Sequence, residues 1–68
     1  MQGWFMLYST KNYLEANIIK GKLEENNIRT VIFNRQDTSY IPIGELELYV
    51  PTHLKDVAVR LMANTLSN

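Results

Sequence analysis

The sequence predicts a small α+β domain whose elements follow the order strand, helix, strand, strand, helix. A helical period of apolar residues spans 12–27, a strict apolar–polar alternation spans 45–50, and β-branched or aromatic runs fill the neighbouring segments. A chain of 68 residues is expected to form one domain, residues 1–68. A domain this small buries a limited core and is often stabilised by oligomerisation.

Composition and charge narrow the classes of function. Seven basic and seven acidic residues cancel, which disfavours a nucleic-acid binder or a polybasic membrane anchor. The chain has no cysteine, so disulfides, thiolate metal sites and thiol catalysis are excluded. The first ten residues carry no basic leader, and their apolar run is too short for a signal peptide or a membrane span. A soluble cytoplasmic protein that binds neither nucleic acid nor membrane is expected.

The first strand is predicted over residues 4–9, which are apolar and rich in aromatic side chains. Simple alternation places Phe5 and Leu7 on one face, and it places three large side chains on the other: Trp4, Met6 and Tyr8. Because both faces are apolar, both are expected to contact something.

The long helix is predicted to begin after Asn12, a good N-cap, with the Glu15 carboxylate reaching back to the Asn12 N–H. It is predicted to end at Asn26–Asn27, because Asn tolerates the left-handed conformation found there. Its buried stripe is predicted to consist of three residues at helical spacing: Ala16, Ile19 and Leu23.

Other residues of this helix fall outside the stripe. Leu14 and Ile18 lie on a different side. Gly21 lowers helix propensity and allows two interpretations: it is merely tolerated, or another backbone approaches closely there.

A second strand is predicted over residues 28–34, with an ambiguous choice of buried face, followed by a polar loop over 35–44. The third strand, residues 45–50, should point Leu46, Leu48 and Val50 inward and Glu45, Glu47 and Tyr49 outward.

A second helix should follow Pro51, with Thr52 as its cap, and run to about Leu66. Its predicted buried face comprises five residues at helical spacing: Leu54, Val57, Ala58, Leu61 and Thr65.

These elements predict a ferredoxin-like split βαββα fold that lacks the last strand. The first two strands should be parallel, and the third should insert between them and run antiparallel to both. This gives a three-stranded antiparallel/mixed sheet of order 1-3-2 with both helices on one face. The first strand would then be an open edge. The uncovered face would carry a candidate interface: Trp4, Met6, Tyr8 and Tyr49. Because such surfaces are usually covered, we expect a homo-oligomer, most simply a twofold dimer.

No catalytic or metal-binding arrangement is evident in the sequence. His53, the single histidine, has no obvious partner for acid–base work, and one histidine among scattered carboxylates does not make a zinc site. No glycine-rich phosphate-binding motif occurs. We therefore expect a non-enzymatic protein without a metal or cofactor.

Residues 34–40, Asn-Arg-Gln-Asp-Thr-Ser-Tyr, form the one stretch with unusual chemistry. In the structural interpretation, short polar side chains bond to nearby backbone and fix turns. In the binding interpretation, Arg35 contacts an anion while three other side chains orient the ligand: Asp37, Ser39 and Tyr40.

Nearly the whole chain resembles a family of small bacterial proteins described as "putative signal-transducing protein", a domain of unknown function. The resemblance rests on the 34–40 stretch, on residues 44–51 (Gly-Glu-Leu-Glu-Leu-Tyr-Val-Pro), and on shorter matches within and just after the long helix: Glu15-Ala16, Ile19-Lys20, Leu23-Glu24 and Ile28. It implies a fold similar to that of the nitrogen-regulatory PII-like proteins and a cytoplasmic setting. It implies no particular reaction, and the long nucleotide-binding loop of true PII proteins has no counterpart here.

Two functional hypotheses follow. The first is a regulatory or interaction module that self-associates and binds a partner protein or a small ligand. The alternative is a small-molecule sensor whose ligand binds at the 34–44 loop.

Overall fold

The computed structural model describes residues 2–35 and 45–67. Its elements follow the predicted order: β1 (Trp4–Thr10), α1 (Tyr13–Glu25), β2 (Val31–Arg35), β3 (Glu45–Pro51) and α2 (Lys55–Leu66), with a short 3₁₀ turn, Thr52–Leu54, between β3 and α2. Within these residues the sheet has the order β1-β3-β2, and β3 is antiparallel to both neighbours. The predicted ferredoxin-like α+β fold is confirmed, and both β1 and β2 are edge strands.

The core lies between the sheet and the two helices. Its buried apolar residues come from one face of β3, from one stripe of α1, from α2 and from the segment before β2: Leu46, Leu48, Val50, Ala16, Ile19, Leu23, Ala58 and Ile28. The predicted α1 stripe and the predicted inward residues of β3 are confirmed, although Glu47, predicted to point outward, is also buried. Leu14 and Ile18 are 69% and 53% exposed, as their position off the stripe predicts.

The N-terminus of α1 is capped from two sides. Asn12 Oδ1 accepts the Glu15 N–H at 3.0 Å, which confirms the predicted N-cap. The prediction that the Glu15 carboxylate accepts a bond from the Asn12 N–H is wrong. Instead the Asn12 N–H donates to Thr10 Oγ1 at 3.0 Å, and the Thr10 hydroxyl donates to Glu15 Oε1 at 2.7 Å. The last residue of β1 therefore completes the cap.

The C-terminus of α1 ends in a Schellman motif. Asn27 adopts a φ of 62°, its N–H donates to Glu24 O at 3.1 Å, and the Ile28 N–H donates to Leu23 O at 3.0 Å. The predicted left-handed Asn is confirmed. Because this motif brings Ile28 into the core beside Leu23, Ile28 does not begin the strand, and β2 starts at Val31 rather than at the predicted residue 28.

Side chains of α1 hold the backbone just before β2. Glu24 Oε2 accepts the Thr30 N–H at 3.3 Å, and Lys20 Nζ donates to Thr30 O at 3.2 Å. Lys20 Nζ also lies 3.3 Å from Glu24 Oε2. The Thr30 N–H, with help from Lys20, holds the pKa of Glu24 below its usual value. We call Lys20, Glu24 and Thr30 the clasp.

A β-bulge changes the faces of β1. Met6 pairs with Tyr49, but the next pair along β3 joins Leu48 to Tyr8, which leaves Leu7 as an extra residue. The bulge turns Tyr8 toward the helices, where Tyr8 and Leu7 both pack against the core. The prediction that Tyr8 shares the uncovered face with Met6 is therefore wrong.

The second helix departs from its prediction at its start and on its face. Thr52 begins the 3₁₀ turn, and no side chain caps either that turn or α2. On α2 only Ala58 is fully buried, while Val57, predicted to be buried, is 45% exposed. Met62 packs against the core with Leu61. Because of the turn, α2 begins at Lys55, and its buried face differs from the predicted one.

Gly21 has open space around it. Apart from its chain neighbours and the backbone of its own helix, no atom of the described residues lies within 4 Å of where a Cβ would stand. The structure therefore favours the interpretation that Gly21 is tolerated, since no other described backbone approaches it.

We expect Leu23→Ala to lower the free energy of unfolding by about 2–5 kcal/mol, because it opens a cavity at a fully buried position. Ile18→Ala on the same helix is the control, and it should cost less than about 0.5 kcal/mol in a monomer. Chemical denaturation measures both. Equal losses would show that the outer side of α1 is covered in solution.

Gly21→Ala should raise the free energy of unfolding by about 0.5–1 kcal/mol, because alanine restricts the unfolded chain and meets no neighbour in the helix. Thermal and chemical denaturation would measure the gain. A loss of stability would mean that the site is occupied in solution by something that needs the space.

The clasp should make stability depend on pH. A carboxyl whose pKa is depressed on folding stabilises the protein above its unfolded pKa, and this contribution disappears as pH falls through the folded pKa. The Glu24 carboxylate should therefore stabilise the folded protein fully at pH values above 4.5, its usual pKa. It should lose this contribution as the pH falls further. Denaturation of wild type and Glu24→Gln across this range is the measurement. The two curves should converge in acid, and parallel curves would contradict this role for Glu24.

Candidate functional site

One face of the sheet is not covered by the helices, and we call it the open face. Strand alternation and the observed register assign it residues from all three strands: Trp4, Met6 and Ser9 of β1, Glu45, Glu47 and Tyr49 of β3, and Val31, Phe33 and Arg35 of β2. Met6, Tyr49 and Val31 form one cross-strand row, and Ser9, Glu47 and Phe33 form the next.

Part of the open face is an apolar surface. Met6, Val31 and Phe33 are 45%, 37% and 55% exposed. Met6 and Val31 flank Tyr49 directly, and Phe33 follows two residues after Val31 on the same side of β2. These side chains form a continuous patch, because cross-strand neighbours and alternate residues along one strand contact each other.

A polar network lies beside this patch and is centred on Glu47. The Tyr49 hydroxyl donates to Glu47 Oε1 at 2.8 Å, and Arg35 Nη1 lies 3.7 Å from Glu47 Oε2. The Glu47 side chain is only 12% exposed, whereas that of Arg35 is 62% exposed. A carboxylate this sheltered is stable because it is paired. A further contact on this face joins the Ser9 hydroxyl to Glu45 Oε2 at 3.0 Å.

The network does not favour proton transfer by Tyr49. Its hydrogen bond to Glu47, together with burial, raises the pKa of the Tyr49 phenol above its usual value. A phenol held in its protonated form is a poor base near neutral pH. The network therefore holds the side chains of Glu47, Tyr49 and Arg35 in fixed positions on the open face.

The predicted loop site is described only at its first residue. Arg35 ends β2 opposite Glu45 and contacts Glu47. Asp37, Ser39 and Tyr40 lie outside the described residues. The ligand-binding role of these four residues stays a prediction.

The predicted interface residues separate into two groups. Trp4, Met6 and Tyr49 lie on the open face. Tyr8 lies on the other side of the sheet, where burial and then the carboxylate of Glu15 raise the pKa of its phenol. No alternation could mark the bulge, because residues 4–8 are apolar or aromatic at every position.

Sequence reasoning left Val31 and Phe33 unassigned to a face. Their register opposite Tyr49 and Glu47 places them on the open face. The outward residues of β3 could have located them only if the pairing register had been known.

A shallow groove of about 630 Å³ lies between the helices, away from the open face. Its lining is mixed in character and consists of Asn17, Ile18, Gly21, Lys22, Glu25, Leu61, Asn64 and Thr65. It has the volume of a small-ligand site but none of the apolar enclosure that usually accompanies one.

Two further features bear on function. In the described parts of the chain no group of three or more histidine, cysteine or acidic side chains could hold a metal ion, and His53 is exposed in the 3₁₀ turn. Over the same residues, no helix combines the length and the apolar character needed to cross a membrane.

Comparison with known proteins supplies one match. The sequence model of a family described as "putative prokaryotic signal transducing protein" matches residues 4–65. No curated protein and no solved structure shows significant similarity to the chain. The matched range contains all three strands, α1 and all of α2 except its last residue. The chain belongs to this family.

Proposed function

We propose that this protein is a non-enzymatic interaction module in signal transduction, and that it self-associates as a twofold dimer with Phe33, on the side of the sheet that the helices leave uncovered, at the interface. The observation that carries the proposal is the exposed apolar patch of Met6, Val31 and Phe33. Contiguous exposed apolar surface on a small domain is typical of an interaction site.

The patch is better suited to association than the apolar residues on the helices. Its members are neighbours across the strands of a rigid sheet. Leu14 and Ile18 are exposed to a similar degree, but they stand on one helix whose other outward positions are largely polar or charged. Apolar burial contributes about 25 cal/mol per Å², so a patch that spans several strands has more to gain than one pair of neighbouring side chains on a helix.

The polar network is compatible with an interface. Glu47 already has partners in Tyr49 and Arg35. Covering a carboxylate that is already paired and sheltered adds less desolvation than covering a bare one. The charged part of the open face can therefore sit at the border of the interface without opposing it.

The outer edge of β1 is poorly suited to association with a second copy, although the sequence suggested it as an open edge. Its bulge after Met6 interrupts the regular spacing of backbone donors and acceptors. Bulges on edge strands are one means by which proteins prevent strand-to-strand association.

We expect Phe33→Glu to abolish the dimer, because it puts a charge into the apolar patch. Ile18→Glu is a matched control, since Ile18 is 53% exposed and Phe33 is 55% exposed. It should leave the dimer intact. Sedimentation velocity at high micromolar concentration measures the assembly, and circular dichroism checks that both variants fold.

A wild type that remains monomeric under these conditions would overturn the proposal. A dimer lost in Ile18→Glu and kept in Phe33→Glu would move the interface to the helices.

A further inference from the structure

We propose that the joint of this dimer is the outer edge of β2, where β2 of a second copy adds in antiparallel orientation and makes one sheet continuous across both copies. This inference rests on the proposed self-association and specifies its geometry. It also places the joint on a different strand from the edge at β1 that the sequence suggested.

The clasp shows which backbone groups of β2 face outward. Both the N–H and the C=O of Thr30 are bonded to α1 side chains, so they point away from β3. Backbone groups alternate in direction along an extended strand. Val31, Phe33 and Arg35 therefore direct theirs toward β3, whereas Ile32 and Asn34 direct theirs to the outer edge.

The clasp also limits where a strand can add. The Thr30 groups are satisfied by Glu24 and Lys20, as a neighbouring strand would satisfy them. In the described part of the chain no strand pairs with the outer edge at Ile32 or Asn34. The polar groups that an incoming strand would bond are those of these two residues.

The edge of β2 is also regular. Its five residues pair with β3 in unbroken register, in contrast to the bulged β1. It contains neither Pro nor Lys, which are common means of blocking an edge. A straight edge with exposed apolar side chains is a template for strand addition.

A second copy fits this edge in a self-complementary register. If Phe33 lies opposite Phe33 of the second copy, then Ile32 faces Asn34 of the other copy. The outward groups of both residues then bond across the joint, in both directions. Phe33 occupies a non-hydrogen-bonded position, where opposed side chains are closest. The exposed ring would pack against its symmetry mate on the open face.

The clasp favours this register over the one centred on Ile32. If Ile32 were opposite Ile32, then Asn34 would stand opposite Thr30 of the second copy, whose N–H and C=O are already bonded to Glu24 and Lys20. In the Phe33-centred register Arg35 stands opposite Val31. The Phe33 rings would then cover part of the apolar patch in both copies.

Amide hydrogen exchange resolved by residue, at low and high protein concentration, tests the joint directly on the wild type. Exchange at Ile32 and Asn34 should slow by more than about tenfold as the dimer forms, because within the described residues no strand bonds those amides, whereas the joint would. Exchange at Val31 and Phe33 should be slow at both concentrations. Protection of Ile32 and Asn34 that does not change with concentration would overturn the joint.

A pair of variants at one position provides a second test. Asn34→Pro removes the outward N–H while leaving the bonds to β3, and edge strands accept proline at such a position. Asn34→Ala keeps the N–H and is the control. We expect a folded monomer for the first and a dimer for the second by sedimentation. A dimer in both would contradict the joint.

Met6→Glu separates this inference from the proposed function. Met6 is the one member of the apolar patch on β1, and the joint brings only the β2 members, Val31 and Phe33, near the second copy, so the variant should stay dimeric. A dimer lost in Met6→Glu, with Ile32 and Asn34 unprotected at every concentration, would show that the open faces stack. The proposed function would then stand and the β2 joint would fall. A monomeric wild type would overturn both.

Discussion

The structure depends on burying one face of β3. This strand pairs with both other strands, and its residues Leu46, Leu48 and Val50 supply the sheet's share of the fully buried core. Two helices are enough to cover one face of a three-stranded sheet and no more. The same strand therefore carries apolar side chains toward α1 and charged or hydroxyl-bearing ones, such as Glu47 and Tyr49, away from it.

Hydrogen bonds made by side chains of α1 and β1 fix both ends of α1. The Thr10 hydroxyl completes the cap at its start, and Glu24 and Lys20 bond the backbone before β2 at its end. These contacts orient the Ala16–Leu23 stripe over β3. They also satisfy backbone groups at the point where the edge of β2 begins, so one set of contacts stabilises the core and bounds a candidate joint.

The two faces of the sheet have different roles in this domain: the covered face determines stability, and the open face is available for interaction. Substitutions in the α1 stripe act on folding, because they leave cavities. Substitutions on the open face act on a surface where Phe33 and Met6 are already exposed and change folding little.

The sequence by itself determined the elements, their order and the core of α1, because these follow from local periodicity and from caps such as Asn12 and Asn27. The strict alternation of β3 likewise showed which of its residues are buried. The faces of β1 and β2 were decided only by tertiary structure. Tyr8 crosses the sheet because of a bulge that an uninterrupted apolar run conceals, and the faces of Val31 and Phe33 depend on a register that is a long-range property. The start of α2 was decided in the same way, since the 3₁₀ turn at Thr52 forms where β3 must leave the sheet, bonded to Gly3 O across the strands. Local pattern reports which residues can be buried, and only pairing with distant strands decides which side each one takes.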